Sequence, residues 1–215
     1  MAMNAGPIAL IGCGPGAAEY LTDAARQAVA RAEVLLGAPR LMEMFPSHGE
    51  MRIPVLADTE ATLSAIAEQR AAGRSIAVLA SGDPGLYSIA TPILKRFGRA
   101  ECQVIPGVSS VQVAFARLGL DWADARVLSA HGRRPAVAAE SLAQCDKIAI
   151  LAGTPQAVRW AAGAAHAVGD SHAAWLCENL TLVDERICRV TPADLRGVGA
   201  VSLAIILLIR KQLLA

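Results

Sequence analysis

The sequence predicts an α/β fold in two domains, the first built on a mostly parallel sheet and the second on a mixed one. Three observations carry this. In the first half of the 215-residue chain, short apolar runs bounded by glycine or proline alternate with segments of helical spacing. In the second half, strand-like runs follow one another with fewer helices between them. The composition is 54% hydrophobic but only 4% aromatic, and much of it is alanine, which suits helices laid on sheets.

Residues 8–11, Ile-Ala-Leu-Ile, read as a buried strand feeding a tight glycine loop. Thr22 caps a helix over 23–32, whose Ala24, Ala25, Ala28 and Val29 share a face. Residues 34–36 form a second strand, and Pro39 starts a short helix that Pro46 stops. A third strand over 51–55 contains Pro54 and so belongs at a sheet edge. Asp58 or Thr59 caps the next helix, with Leu63, Ile66, Ala67 and Arg70 at helical spacing and Gly73 ending it. The clearest strand of this half, 75–80, runs into the turn-rich Ser81-Gly-Asp-Pro-Gly85, followed by a helix ending near Arg96. Residues 103–105 make another strand, broken by Pro106-Gly107.

A helix over 111–118 and then Gly119 bridge the halves. The domain change falls between Ser110 and Asp124, giving domains of 1–112 and 113–215. Beyond it, 126–129, 147–151, 172–176, 185–190 and 201–209 read as strands. Thr154 caps a helix reaching Ala165, and Thr191-Pro192 opens a short one.

The bulk numbers exclude several classes. A net charge of +1 gives no global attraction to nucleic acid or to an anionic membrane. No uninterrupted apolar run is long enough to span a bilayer, and Met1-Ala-Met-Asn4 carries no basic stretch of the signal-peptide kind. Five scattered cysteines without a C-x-x-C pair argue for reduced thiols and a cytoplasmic setting, and no metal-ligand spacing is visible, so no metal site is expected.

Three loops carry the functional signal. Gly12-Cys-Gly-Pro-Gly-Ala17 fits G-x-G-x-x-A, but no acidic residue ends the second strand, and Pro15 removes an amide. The alternative is a plain strand-to-helix turn. In Ser81-Gly-Asp-Pro-Gly-Leu-Tyr87, Gly82 permits close approach to the backbone, and Asp83 can accept hydrogen bonds from a ribose or an amine, or cap a helix. In Pro106-Gly-Val-Ser-Ser110, the two hydroxyls can cap the following helix or hold a ligand carboxylate. All three loops follow apolar strands, so a parallel sheet would bring them to one edge, where ligands of such sheets sit.

In this order and spacing the three loops resemble the tetrapyrrole methylase family, over nearly the whole chain. The resemblance implies two α/β domains facing across a cleft, with S-adenosylmethionine held there largely by backbone groups and S-adenosylhomocysteine as product. It also implies a small-molecule tetrapyrrole substrate, a homodimer, and no nucleic-acid or membrane partner. Carried over residue by residue, it implies cofactor contacts from Gly82, Asp83, Leu86 and Tyr87, from Ser109 and Ser110, and from Ala152 and Gly153. Gly14, Pro15 and Gly16 would lie nearer the substrate.

Two further stretches, Ser129-Ala-His-Gly-Arg-Arg134 and Glu178-Asn-Leu-Thr with Asp184-Glu-Arg-Ile187, resemble the branch of the family that methylates carbon 5 of a corrin precursor. That module also occurs as the first half of a fusion with a C-15 methyltransferase/decarboxylase. The resemblance makes His131 the candidate catalytic base for proton loss, since free imidazole titrates near neutrality. It makes Arg133, Arg134 and Glu178 substrate contacts, arginine being suited to bidentate carboxylate recognition. Without it, His131 is an ordinary histidine, the arginine pair a solvated face, and Glu178-Asn179 a turn. The cysteines read as small buried hydrophobes, with Cys13 set inside a candidate site loop.

Other classes remain open at this level. A nicotinamide-dependent oxidoreductase would need the missing acidic residue after the second strand. A non-catalytic tetrapyrrole carrier would have no use for the Gly82-Asp83 loop. A methylase of the same family acting at another position or substrate would share all three loops.

Overall fold

The computed structural model describes residues 6–47, 49–55, 58–132, 134–199 and 202–214. The chain divides into two compact units, Met1–Ser109 and Ser110–Ala215, each with its own five-stranded sheet.

In the first unit the strands are β1 (Ile8–Gly12), β2 (Val34–Gly37), β3 (Met51–Pro54), β4 (Ile76–Ala80) and β5 (Cys102–Ile105). They lie in the order β3-β2-β4-β1-β5, and every pairing is parallel. Successive side chains of a strand point to opposite faces, so a sheet covered on both sides reads as a continuous apolar run. Along β1, Ala9 and Ile11 face one core with Leu35, Ala77 and Leu79, joined by Ala25, Ala28 and Val29 of α1 (Asp23–Ala30) and by Leu41 and Met42 of α2 (Pro39–Met42). Ile8 and Leu10 face the other core with Val34, Leu36 and Val78, covered by α3 (Thr59–Ala71) through Leu63 and Ile66 and by α4 (Ala90–Phe97) through Ala90 and Ile93.

The local signals act as their chemistry requires. Thr22 accepts a hydrogen bond from Ala25 N and Asp58 from Ala61 N, each satisfying an orphan amide of its helix. β3, with Pro54, occupies the sheet edge. One expectation shifts: the helix after Gly85 starts only at Ala90. Asp83 does not cap it. Its carboxylate is engaged elsewhere, and Ser88 Oγ accepts from Ala90 N instead.

In the second unit the strands are β6 (Arg126–Ser129), β7 (Lys147–Leu151), β8 (His172–Glu178), β9 (Arg186–Val190) and β10 (Ala204–Arg210), in the order β6-β7-β10-β8-β9. Only β6 and β7 pair in parallel; the other pairings are antiparallel. α5 (Ser110–Arg117) opens the unit, and α6 (Ala139–Ala143), α7 (Pro155–Val168) and α8 (Pro192–Gly197) complete it. α7 presents a face of small residues, Ala157, Val158, Ala161, Ala162 and Ala165, to Ile148, Ile150, Leu176, Ile206 and Leu208. The alanines let the helix lie close on the central strands. α6 escaped the sequence reading because it is five residues long and its N-cap, Ala138, offers no capping side chain.

Arg117, at the end of α5, grips Glu185 before β9 with Nε to Oε1 at 2.7 Å and Nη2 to Oε2 at 3.2 Å, while Thr181 N donates to Oε2 at 2.5 Å. The Arg117 hydrogen bonds, ahead of the Thr181 amide, hold the Glu185 carboxyl below its usual range. A depressed folded pKa stabilises the native state above the unfolded value and loses that contribution as pH falls through the folded value. Glu185→Gln should therefore lower the melting temperature at neutral pH. The gap to the unsubstituted protein should close in acid, below the ordinary glutamate range. Melting curves across pH test this; a gap independent of pH would contradict it.

Candidate functional site

In the first unit the three signal loops leave the C-terminal ends of β4, β1 and β5, which are immediate neighbours in the sheet. The chain locks them together. Cys13 N donates to Ala80 O at 2.8 Å. Gly14 N donates to Gly82 O at 3.2 Å, and Gly82 N returns a bond to Gly14 O at 2.8 Å, an antiparallel bridge between the first and second loops. Asp83 joins the second to the third: Oδ1 accepts from Gly85 N at 2.7 Å and Oδ2 from Gly107 N at 3.0 Å.

Glycine is required by this packing. A methyl on Gly12 would meet Gly107 N at 2.4 Å, and one on Gly107 would meet Gly82 O at 2.5 Å. Gly14 and Gly82 also adopt φ of 75° and 67°, a region costly for other residues. Gly14 and Pro15 are buried and Gly16 half-buried, so Gly14 serves first to bring the loops together. The outer side of the second loop holds Leu86 and Tyr87. Tyr87 has φ of 49° and is 45% exposed, and such strain in a non-glycine residue collects at ligand-contacting segments. Ser109 is buried at the end of this unit, and Ser110 is the first residue of α5 in the second.

Removing the Asp83 carboxylate would leave two loop amides without their acceptor. Asp83→Ala should therefore cost about 1–3 kcal/mol of stability, measurable by denaturant titration. Unchanged stability would mean that water replaces the carboxylate. Each oxygen keeps a second lone pair for a ligand, so the framework role adds to the expected cofactor contact without displacing it.

One group near these loops was not singled out by the sequence. Arg40, at the start of α2, donates from Nη2 to Ser81 Oγ at 3.0 Å, and desolvation lowers its pKa. No motif surrounds it; only the fold carries it to the loop. Beside it, burial pushes the Cys13 thiol up to about 12, so Cys13 stays protonated and serves as a packed apolar group.

In the second unit the parallel pair β6 and β7 delivers two loops to one edge. Ala130 N donates to Leu151 O at 3.0 Å, and Ala152 N donates to Ala204 O at 2.9 Å. A methyl on Gly153 would lie 2.6 Å from Ser202 O and 2.8 Å from His131 Nδ1, so the imidazole rests against the glycine. Ala204 is also the register partner of Glu178. His131, Ala152, Gly153 and Glu178 thus share one edge of the sheet. Glu178 faces Arg186 across the β8–β9 hairpin at 3.3 Å, and Asn179 Nδ2 donates to Asp184 at 2.7 Å. Arg134 is exposed, and the expectation for Arg133 lies outside the described residues. Among the described residues no group of His, Cys, Asp and Glu side chains is arranged to hold a metal, and no helix is long and apolar enough to cross a membrane.

The family model described as Tetrapyrrole (Corrin/Porphyrin) Methylases matches residues 7–196. The chain belongs to that family. Among tetrapyrrole methylase relatives it is similar to the cobalt-precorrin-7 C(5)-methyltransferase of Salmonella typhimurium, 38% identical over 181 residues that cover 84% of this chain and 88% of that protein. Its fold matches the solved precorrin-6Y methylase of Archaeoglobus fulgidus, with a TM-score of 0.73 and 24% identity over 95% of this chain and 98% of that one. It also matches the uroporphyrin-III C-methyl transferase of Thermus thermophilus complexed with S-adenyl homocysteine, with a TM-score of 0.77 and 21% identity over 95% of this chain and 97% of that one. The parallel and mixed five-stranded sheets are therefore the two sheets of a tetrapyrrole methylase.

Proposed function

We propose that the protein transfers a methyl group from S-adenosylmethionine to carbon 5 of cobalt-precorrin-7, or of its cobalt-free counterpart, in cobalamin biosynthesis. The observation that carries this is the 38% identity, extending over 84% of the chain, to a relative that bears that activity in its name. The loops fit the cofactor. Three loops pinned by glycine contacts hold a rigid rim, and the outer residues Leu86 and Tyr87 offer backbone and apolar surface of the kind a nucleoside takes. Cofactor contacts are assigned to Gly82, Asp83, Leu86, Tyr87, Ser109, Ser110, Ala152 and Gly153. Gly14, Pro15, Gly16, Arg133, Arg134 and Glu178 are assigned to the substrate side.

When bound, S-adenosylmethionine supplies an electrophilic methyl on a sulfonium. The protein's share is alignment of an electron-rich ring carbon with that methyl, an effect worth up to about 7–11 kcal/mol of barrier. No general base is needed for the attack itself. His131, seated against Gly153, is the group assigned to take the proton that the methylated carbon must lose. On the same family reading the protein works as a homodimer in the cytoplasm, and light scattering of the purified chain tests the dimer.

The decisive experiment is incubation with isotopically methyl-labelled S-adenosylmethionine and cobalt-precorrin-7, followed by mass spectrometry and carbon NMR. One labelled methyl at carbon 5 is the expected product. A methyl at another carbon would move the protein to a different methylase of the family, and no transfer would remove the assignment.

A further inference from the structure

We infer that a cavity lined by the loop that carries His131 is a carboxylate subsite for the substrate, with Arg159 as an anchor that no sequence motif marks and Arg134 as its partner. The inference rests on the proposed tetrapyrrole substrate and names which residues orient it.

The cavity measures about 470 Å³ and lies entirely within the second unit. Its walls are the loop after β6, with Ala130, Gly132 and Arg134, and the start of α7, with Thr154, Gln156 and Arg159. Among the described residues two guanidinium groups border it, and no Asp or Glu does. Several other arginines are spent on structure: Arg52, Arg70, Arg117, Arg186 and Arg210 all pair with carboxylates. Arg134 and Arg159 are both exposed, and among the described residues neither has an ion pair or a side-chain hydrogen bond. A concave surface with uncompensated positive charge and a neutral amide, Gln156, is chemically matched to an anion.

Its place gives the anion a use. Ala130 and Gly132 flank His131 in the chain, and Thr154 follows Gly153. A carboxylate held here is therefore held against the loop that carries the group assigned to proton removal. The substrate is a macrocycle with several similar ring carbons and a rim of carboxylate arms. Fixing one arm fixes the rotation of the ring, and so decides which carbon meets the methyl donor. Arg159 is a specificity-determining residue on this reading, not a catalytic one.

The test uses uroporphyrin, an octacarboxylate porphyrin that reports binding by its fluorescence, alongside the methylation assay. Arg159→Gln should weaken uroporphyrin binding and raise the KM for cobalt-precorrin-7 by up to about fivefold, as for an exposed charged contact. Arg159→Lys should recover part of the loss, and Arg159→Glu should be worse than Arg159→Gln. S-adenosylhomocysteine affinity and the melting temperature should not move, and kcat should change less than KM. Unchanged uroporphyrin affinity and KM would overturn the subsite. So would a loss confined to S-adenosylhomocysteine, which would make Arg159 a contact of the cofactor carboxylate. If the unsubstituted protein fails to methylate cobalt-precorrin-7 while Arg159→Gln still weakens uroporphyrin binding, the assigned reaction falls and the subsite stands.

Discussion

Gly107→Ala is expected to abolish S-adenosylhomocysteine binding and to destabilise the protein by about 3 kcal/mol or more. For a chain of this size that is a fall in melting temperature of about 6–12 °C. The added methyl would sit 2.5 Å from Gly82 O, 2.7 Å from Gly12 C and 2.8 Å from Gly12 Cα. All three neighbours are backbone atoms, so no side chain can swing away. The third loop would have to lift off the first two, breaking the bond from Gly107 N to Asp83. Gly12→Ala should behave alike, since its methyl meets Gly107 N at 2.4 Å. Gly85→Ala is the informative contrast. Its methyl meets only the Asp83 Oδ1 carboxylate oxygen, at 2.9 Å, and a side chain can yield. Calorimetry with S-adenosylhomocysteine and thermal melts should therefore rank Gly12→Ala and Gly107→Ala as severe and Gly85→Ala as mild. A stable, ligand-binding Gly107→Ala protein would show that the loops are not packed glycine to glycine.

That junction also separates what the sequence discloses from what it hides. Each of the three loops follows an apolar strand, so their arrival at one sheet edge was legible from periodicity and punctuation alone. The strand order that makes β4, β1 and β5 neighbours was not, because parallel pairing is set by contacts remote in sequence. Asp83 illustrates the difference. Its neighbours in the chain suggest a ligand contact or a helix cap, but its Oδ2 finds Gly107 N, 24 positions away. Arg40 and Arg159 were illegible for the same reason. Each sits in an ordinary short stretch, and only the fold brings the first to Ser81 and the second to the cavity beside Gly132. In the second unit the Ser129-to-Arg134 motif lies at the edge where β6 and β7 end. Parallel pairing of β6 with β7 sets His131 against Gly153, as two loops leaving adjacent parallel strands require.

The second large effect is expected there. His131→Ala should lower kcat by about a hundredfold, the lower end of the range for a positioned proton-transfer group. It should leave S-adenosylhomocysteine affinity nearly unchanged, because the exposed imidazole is assigned to the proton and not to the cofactor. Added imidazole should restore part of the rate, a rescue that a purely structural histidine would not show. Gly153→Ala should cost at least as much in kcat, by two routes. Its methyl would press His131 Nδ1 at 2.8 Å and Ser202 O at 2.6 Å. The imidazole can rotate away, out of its working position, whereas the Ser202 carbonyl can move only with its chain. The two routes separate in the double variant. If displacement of His131 dominates, His131→Ala with Gly153→Ala should be no slower than His131→Ala alone, since contacting residues do not add. If the Ser202 carbonyl dominates, the two losses should multiply and cofactor affinity should fall as well. An unchanged kcat in His131→Ala, or a loss that imidazole does not rescue, would leave the proton to water and reduce His131 to a packing partner of Gly153.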